Sequence, residues 1–219
     1  MNIYCDLDGP ILDVSERYYQ VYLALMRALG HEPLRKDVYW NLKRRKADLQ
    51  EILSCSADEI QTYETRRLQM IELVEYLRYD FVISGVFDVL LDLKEKHRLV
   101  LVTLRHDFVS LKAELSWLKL DILFDKILAQ DNNEGNWKAK FELIRCDERF
   151  CQANSIIIGD TEADILAGKK LGIPTFAVLS GIRTRELLKN LGPDYILNDI
   201  TELPAYLSNE VLNVKHSVS

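Results

Sequence analysis

The sequence predicts an α/β protein in which a parallel β-sheet is flanked by helices and an all-helical segment is inserted near its start. From about residue 84 onward, short apolar runs alternate with helical patterns, as in repeated βαβ units. Residues 14–79 instead show helical periodicity with no strand-like run. A chain of 219 residues is long enough for one such core with a smaller inserted domain.

The first predicted strand, residues 3–5, is apolar and runs into two acidic residues. Asp6 and Asp8 lie two positions apart, and residues two apart on a strand point to the same face. Two carboxylates held this close repel each other unless a cation or a shared proton lies between them. Gly9 then lets the backbone turn sharply. The pattern predicts a Mg²⁺ site at the end of this strand.

Residues 14–79 are predicted to form a helical cap domain, and residues 1–13 and 80–219 the α/β core domain. Val21, Leu25 and Leu29 make one apolar helical stripe. Ser56, with Glu59 three residues later, has the pattern of a capping box and predicts the start of another helix. Because the insertion leaves and re-enters the core beside the two acids, it could close over them and exclude water.

The remaining elements follow in order along the core. Gly172 and Pro174 stop one predicted helix, and Gly192 and Pro193 stop the next. The connections between strands are expected to be right-handed crossovers. The predicted strands span residues 98–103, 124–129, 155–159, 175–179 and 195–197, and the predicted helices span residues 86–95, 107–119, 138–147, 163–171 and 184–191, with a last helix after Thr201.

Polar residues lie at the ends of two of these strands. Thr103 ends the strand 98–103, while Asp160 and Asp164 follow the strand 155–159 at the opening of a helix. Acids at that position complement the positive end of the helix dipole. In an open α/β sheet, the binding crevice lies outside the carboxyl ends of the strands. Asp6, Thr103 and Asp160 are therefore expected to converge in one pocket.

Composition and charge exclude several classes of function. The formal net charge is −6 and no long basic tract occurs, which argues against nucleic acid or an anionic membrane as the main partner. The four cysteines show no C-x-x-C spacing, so a reduced, cytoplasmic setting is expected. The longest apolar stretches have the length of strands, well below the ~20 residues of a membrane span.

Four motifs in order resemble those of one enzyme family. They are Asp6-Leu7-Asp8-Gly9, Thr103, a lysine before the strand 155–159, and Gly159-Asp160 with Asp164. Over nearly its whole length the chain resembles the haloacid dehalogenase superfamily, in its phosphoglycolate phosphatase-like branch with a helical cap. The resemblance implies a Rossmann-like core and a Mg²⁺-dependent phosphomonoester hydrolase that acts on a small phosphorylated metabolite.

The resemblance also implies a role for each motif residue. Asp6 would be the nucleophile that forms an aspartyl-phosphate, and Asp8 would be the acid and base. Such a two-step reaction is a general form of covalent catalysis. Thr103 would hold a phosphoryl oxygen. Mg²⁺, which prefers hard oxygen ligands, would be held by Asp6, the backbone carbonyl of Asp8 and Asp160, with Asp164 close by.

Two positions depart from the family pattern. The family's lysine is often followed by proline, whereas this chain offers Lys138 and Lys140 without one. Lys138 is favoured, because a lysine in the first turn of a helix opposes the helix dipole and so points to a functional reason for its presence. Pro10 stands where these enzymes more often have threonine, and it removes a backbone N–H from the turn.

Basic residues outside the motifs are candidates for substrate binding. Lys43, Arg44 and Arg45 lie in a run between helices of the insertion, where they could form a solvated face or bind a second anionic group of the substrate. In the cap domains of related enzymes, this region recognises the leaving group of the substrate. Arg105, just past Thr103, is a further candidate for a phosphate or carboxylate contact.

Other functions share parts of this pattern. A β-phosphoglucomutase-like phosphomutase uses the same four motifs and remains open. A non-catalytic, phospho-accepting switch also clusters acids, threonine and lysine at strand ends, but the insertion and Asp8 argue against it. A carbon–halogen hydrolase would leave Asp8 and Asp160 unexplained. Dinucleotide binding is not indicated, since no G-x-G-x-x-G follows a strand.

Overall fold

A six-stranded parallel sheet forms the core of the protein, as the computed structural model shows for residues 1–129 and 136–208. The strand order is β5-β4-β1-β6-β7-β8, so the first strand lies in the middle. These positions agree closely with the predicted strands. The sheet strands are β1 (Asn2–Cys5), β4 (Arg98–Thr103), β5 (Lys126–Ala129), β6 (Ser155–Gly159), β7 (Thr175–Val178) and β8 (Tyr195–Leu197).

Register along the middle of the sheet brings three strand ends to one edge. Cys5 in β1 pairs with Leu101 in β4 and with Ile158 in β6. Because all three strands run parallel, the residues that follow each of them emerge on the same side. The sheet thus places Asp6, Thr103 and Asp160 at one edge.

Helices cover both faces of the sheet, because alternate strand residues point to opposite sides. Ile3 and Cys5 belong to one hydrophobic cluster with the helices at residues 86–96, 108–117 and 203–208, whereas Tyr4 belongs to another with the helices at residues 137–145 and 162–171. Buried on both faces, the strands are apolar throughout. The core helices are α6 (Val86–Lys96), α7 (Phe108–Trp117), α8 (Trp137–Arg145), α9 (Glu162–Leu171), α10 (Arg185–Leu191) and α11 (Leu203–Ser208).

The chain between β1 and α6 contains five helices, which we call the helical segment. They pack around their own hydrophobic cluster, in which the rings of Tyr22 and Tyr39 stack with centroids 4.2 Å apart. The capping box of Ser56 and Glu59 is confirmed at the start of α4. The helices are α1 (Ser15–Ala28), α2 (Lys36–Arg44), α3 (Leu49–Leu53), α4 (Ala57–Met70) and α5 (Val74–Leu77).

A short antiparallel ladder at the base of the helical segment was not predicted from the sequence. In it β2 (Leu12–Asp13) pairs with β3 (Phe81–Val82), so the chain leaves and returns side by side. Strands of two residues are too short to show the alternation that identifies a strand. The ladder lies just outside residues 14–79, whose division from the core as a separate domain stays a prediction.

The helices in residues 1–129 and 136–208 were compared with the length and hydropathy of a membrane-spanning helix. None of them combines the length and the apolar character that crossing a bilayer would require.

Candidate active site

A cavity of about 530 Å³ lies between the carboxyl ends of the strands and the helical segment. Asp6, Thr103 and Asp160, which the sequence predicts to converge, all line it. The helical segment contributes another wall through residues of α1 and α4 and through Lys46. The size is typical of a site that takes a small molecule.

Three acids and one lysine form a buried group at the strand ends, which we call the carboxylate cluster: Asp6, Asp160, Asp164 and Lys140. Lys140 Nζ lies 2.9 Å from Asp6 Oδ1 and 2.5 Å from Asp164 Oδ1. One oxygen from each of the three carboxylates lies within 4.8 Å of the others. Burial, with the charges of Asp164 and Asp8 added, raises the pKa of Asp6 to about 7 despite the opposing ammonium of Lys140.

The carboxylate cluster has the chemistry of a divalent-cation site. Burial and the neighbouring Asp6 and Asp164 raise the pKa of Asp160 well above its usual range. Its Oδ2 accepts from Ile182 N at 2.5 Å, while its buried Oδ1 has no hydrogen-bond partner in the described part of the chain. Three carboxylates facing one ammonium leave negative charge to be balanced. The residues therefore fit Mg²⁺, which is held by oxygen ligands.

Glycines leave room for Asp160 beside the backbone. Gly9 has a φ of +105°, and a Cβ built on it would overlap the Asp160 carboxyl group. A Cβ on Gly181 would overlap the same group. Both positions therefore require glycine, the first also for its left-handed backbone.

A second buried group lines the cavity beside Asp8, and we call it the arginine cluster: Asp8, Arg17, Asp80, Arg105 and Glu114. Arg105 donates from Nη2 and Nε to the two Asp8 oxygens at 2.5 and 3.0 Å, and Arg17 Nη2 donates to Asp8 Oδ2 at 2.6 Å. Although burial opposes it, these two guanidinium groups lower the pKa of Asp8 well below its usual range.

Two further acids, Asp80 and Glu114, form ion pairs with the two arginines. Arg105 Nη1 lies 2.9 Å from Glu114 Oε2, and both Arg17 Nη1 and Arg105 Nη2 lie 3.2 Å from Asp80 Oδ2. Burial, followed by the charge of Asp8, raises the pKa of Asp80 to about 8. At neutral pH a proton on Asp80 leaves two anions facing two cations, so the cluster balances its own charge.

The structure corrects the choice between the two lysines. Lys140, and not Lys138, contacts Asp6. Lys140 lies one helical turn before Ile144, and both are on the buried face of α8. Lys138 is exposed, with its ammonium 6.0 Å from the centre of the Trp137 ring. Asn136 caps the start of α8, because its side-chain oxygen accepts hydrogen bonds from the free backbone N–H groups of residues 138 and 139.

The basic run of the helical segment also differs from expectation. Arg44 donates to the backbone oxygens of Leu179 at 2.7 Å and Arg183 at 3.1 Å, so it links the helical segment to the core. Arg45 is exposed and paired with Glu51. Lys43 is half-buried over the Tyr18 ring, at 5.6 Å from its centre. Lys46, the residue after Arg45, lines the cavity, as does Arg105, whose contact with substrate stays a prediction.

Sequence reasoning missed several residues of the site. Arg17 is the clearest case, because it occupies the same buried stripe of α1 as Val21 and Leu25, at intervals of four. A charged residue on such a stripe needs a partner, and this signal was available in the sequence. Arg67, four residues after Tyr63 in α4, and Glu114, three after Leu111 in α7, carried the same signal, whereas Asp80 and Arg183 did not.

Comparison with known proteins identifies the family. The HAD-hydrolase-like family model matches residues 135–203. Pyrophosphatase PpaX of Halalkalibacterium halodurans is 32% identical over 212 residues, covering 90% of this chain and 92% of the relative. A haloacid dehalogenase-like hydrolase from Streptococcus pneumoniae superposes with a TM-score of 0.80 at 21% identity, covering 94% of this chain and 98% of that one.

A further structural neighbour is the HAD-hydrolase YfnB from Bacillus subtilis, described as bound to magnesium. It has a TM-score of 0.64 at 19% identity and covers 94% of this chain and 97% of that one. The chain belongs to the haloacid dehalogenase-like hydrolases. Within that family it is a phosphohydrolase.

Proposed function

We propose that the protein is a Mg²⁺-dependent phosphomonoester hydrolase that works through an aspartyl-phosphate on Asp6. The observation that carries this proposal is the carboxylate cluster, in which Asp6 reaches the cavity beside Lys140 and two further acids. A nucleophile needs an open path to phosphorus and nearby positive charge. Asp6 has both.

The first half of the reaction transfers the phosphoryl group. An Asp6 oxygen attacks phosphorus, and the bond from phosphorus to the leaving oxygen breaks with its electron pair on that oxygen. Lys140 compensates charge on Asp6 and on the phosphoryl oxygens. The Thr103 hydroxyl, which is buried at the cavity wall and accepts from Arg105 N at 3.3 Å, donates to a phosphoryl oxygen.

Asp8 serves as the acid and base. The arginine cluster favours its carboxylate form, which is the form that activates water in the second, hydrolytic half. Protonation of the leaving oxygen in the first half requires Asp8 to leave its arginines. An incoming phosphate that takes over hydrogen bonds of Arg105 would release it, because Arg105 also lines the cavity.

Asp6, the backbone carbonyl of Asp8 and Asp160 would hold Mg²⁺, with Asp164 close by. The ion would supply the positive charge that the cluster lacks and polarise a phosphoryl oxygen. Asp164 also accepts from the backbone and hydroxyl of Thr161, at 3.0 and 2.8 Å, which fixes its position. The structural neighbour that is described as bound to magnesium supports Mg²⁺ as the ion.

The substrate class is a small phosphorylated metabolite, and a cytoplasmic location suits it. The relatives named pyrophosphatase place inorganic pyrophosphate among the substrates to test. A mutase would return the phosphoryl group to a sugar phosphate instead of releasing it.

The test measures release of inorganic phosphate from p-nitrophenyl phosphate, phosphoglycolate, glucose phosphates and pyrophosphate, with Mg²⁺ and after its removal by chelation. We expect turnover only with Mg²⁺ and none in Asp6→Asn, which is nearly isosteric and should stay folded. Asp13→Asn is the control, since Asp13 bonds the start of α1 and does not line the cavity. Near wild-type turnover in Asp6→Asn would show that Asp6 is not the nucleophile. Phosphoryl transfer to a sugar phosphate without release of inorganic phosphate would indicate a mutase.

A further inference from the structure

Six lysines and arginines line the cavity, and Arg67 differs from the other five. Each of the five lies within 4.0 Å of a carboxylate. Arg67 has no such partner among residues 1–129 and 136–208. The pairs are Arg17 and Arg105 with Asp8, Lys140 with Asp6, and Lys46 and Arg183 with Glu162.

Arg67 belongs to the wall that the helical segment contributes. It lies near the end of α4 and is half-buried. The Lys43 ammonium is close by, and its pKa is lowered to about 8 by burial and then by the charges of Arg67 and Arg183. The three cations repel one another, and of the three only Arg183 forms an ion pair within the described residues, while the charge of Glu64 acts on Lys43 in the opposite sense. This wall therefore carries positive charge that the described protein groups leave unbalanced.

The cavity is larger than a phosphoryl group needs. About 530 Å³ is within the range that accommodates a whole organic ligand. Apolar side chains line it as well, including Leu68 and Ile71 beside Arg67 and Leu104 beside Thr103. Apolar side chains among these charged ones suit an organic leaving group that itself carries an anionic group better than a bare inorganic ion.

We propose that Arg67 binds a carboxylate or second phosphate on an organic leaving group whose phosphoryl group sits at Asp6. This inference rests on the proposed phosphomonoesterase function and adds a specificity-determining residue to it. An anionic group at Arg67 would balance the charge of the wall, and a guanidinium can hold either oxyanion through two parallel hydrogen bonds.

The test uses two aryl esters of similar size, 4-carboxyphenyl phosphate and 4-methylphenyl phosphate. In Arg67→Gln we expect kcat/KM for the carboxylate ester to fall about 10- to 100-fold, mainly through KM, since a charge-assisted contact is lost. The methyl ester should change less than about 3-fold. Arg67→Lys should restore part of the loss. Arg66→Gln is the matched control, as it removes the same charge from an exposed position on the same helix.

Other outcomes contradict the assignment in distinguishable ways. Equal losses with both esters, or a loss no larger than in Arg66→Gln, would show that Arg67 does not select an anionic leaving group. If Arg67→Gln lowered kcat/KM more for inorganic pyrophosphate than for the carboxylate ester, the proposal that the leaving group is organic would be wrong. If the wild type with Mg²⁺ hydrolysed neither ester, the proposed function would itself fail, and the role of Arg67 with it.

Discussion

The carboxylate cluster and the arginine cluster line the same cavity and contain three acids each, yet their charge balance differs. The carboxylate cluster has a single cation, Lys140, whereas the arginine cluster has two. One proton on Asp80 is enough to balance the arginine cluster. The carboxylate cluster, with three acids and one cation, would need two protons for the same balance, and burial and mutual repulsion raise the pKa values of Asp6 and Asp160 in that direction. It is therefore suited to an external cation, while the arginine cluster is complete without one.

The contrast extends to two carboxyls only two residues apart. The pKa of Asp6 is raised to about 7, chiefly by burial, while the pKa of Asp8 is lowered, chiefly by Arg105 and then Arg17 against the effect of burial. Both side chains reach the same cavity from one strand end. Neighbouring cations, and not position along the chain, set their opposite shifts. The proposed chemistry needs the reverse in its first half, an ionised Asp6 and a protonated Asp8, so bound Mg²⁺ and substrate would have to change both pKa values.

Removing a cation from the arginine cluster should have the largest effect on stability. Arg105→Gln leaves Asp8, Asp80 and Glu114 facing Arg17 alone, and we expect a loss of about 3–5 kcal/mol in the free energy of unfolding. Urea denaturation measures it. Arg145→Gln is the control, since that arginine forms an exposed pair with Glu142 and should hardly matter. Similar stability in both variants would contradict a self-balanced cluster.

The next effect concerns the cation of the carboxylate cluster. Lys140→Ala should reduce kcat about 10²–10³-fold, because phosphoryl charge loses its compensation. Lys138→Ala, on the exposed face of the same helix, should leave kcat within about 2-fold. Steady-state phosphate release measures both, with circular dichroism to verify folding. If Lys138→Ala were the more damaging change, Lys140 would not have the assigned role.

The smallest expected effect is the stabilisation of the protein by Mg²⁺, which should depend on the carboxylate cluster and not on the arginine cluster. Mg²⁺ at about 100 times its dissociation constant should stabilise the wild type by about 2.7 kcal/mol. Asp160→Asn removes a candidate ligand, so its midpoint of thermal unfolding should respond much less to Mg²⁺. Asp80→Asn changes only the arginine cluster and should keep the wild-type response. An equal Mg²⁺ response in all three proteins would place the ion elsewhere.

The sequence predicted the fold more fully than the contacts within the site. Strands such as residues 98–103 are apolar runs bounded by clear breaks, so their positions and the common edge of Asp6, Thr103 and Asp160 followed from pattern alone. The pairing of cations with acids did not follow. It depends on which face each helix buries and on how far each long side chain reaches.

Lys140 and Arg44 illustrate that limit. The helix-dipole argument favoured Lys138, although the interval of four from Lys140 to Ile144 marks the buried face. Arg44 belongs to a basic run whose charge suggested an anion, whereas its side chain bonds to backbone oxygens of the core. Charge patterns identify candidates, and packing decides their partners.

The central place of β1 has a consequence for synthesis of the chain. Asn2 pairs with Arg98 on one side and with Ser155 on the other, so both neighbours of β1 are translated long after it. At about 5–20 residues per second, roughly 10–30 s pass before the second neighbour emerges. Until then an apolar strand has at least one open edge, which can pair with other chains. The helical segment has its own hydrophobic cluster and can fold within this interval. The strand that leads into Asp6 is thus made before both of its neighbours and is among the last to be protected.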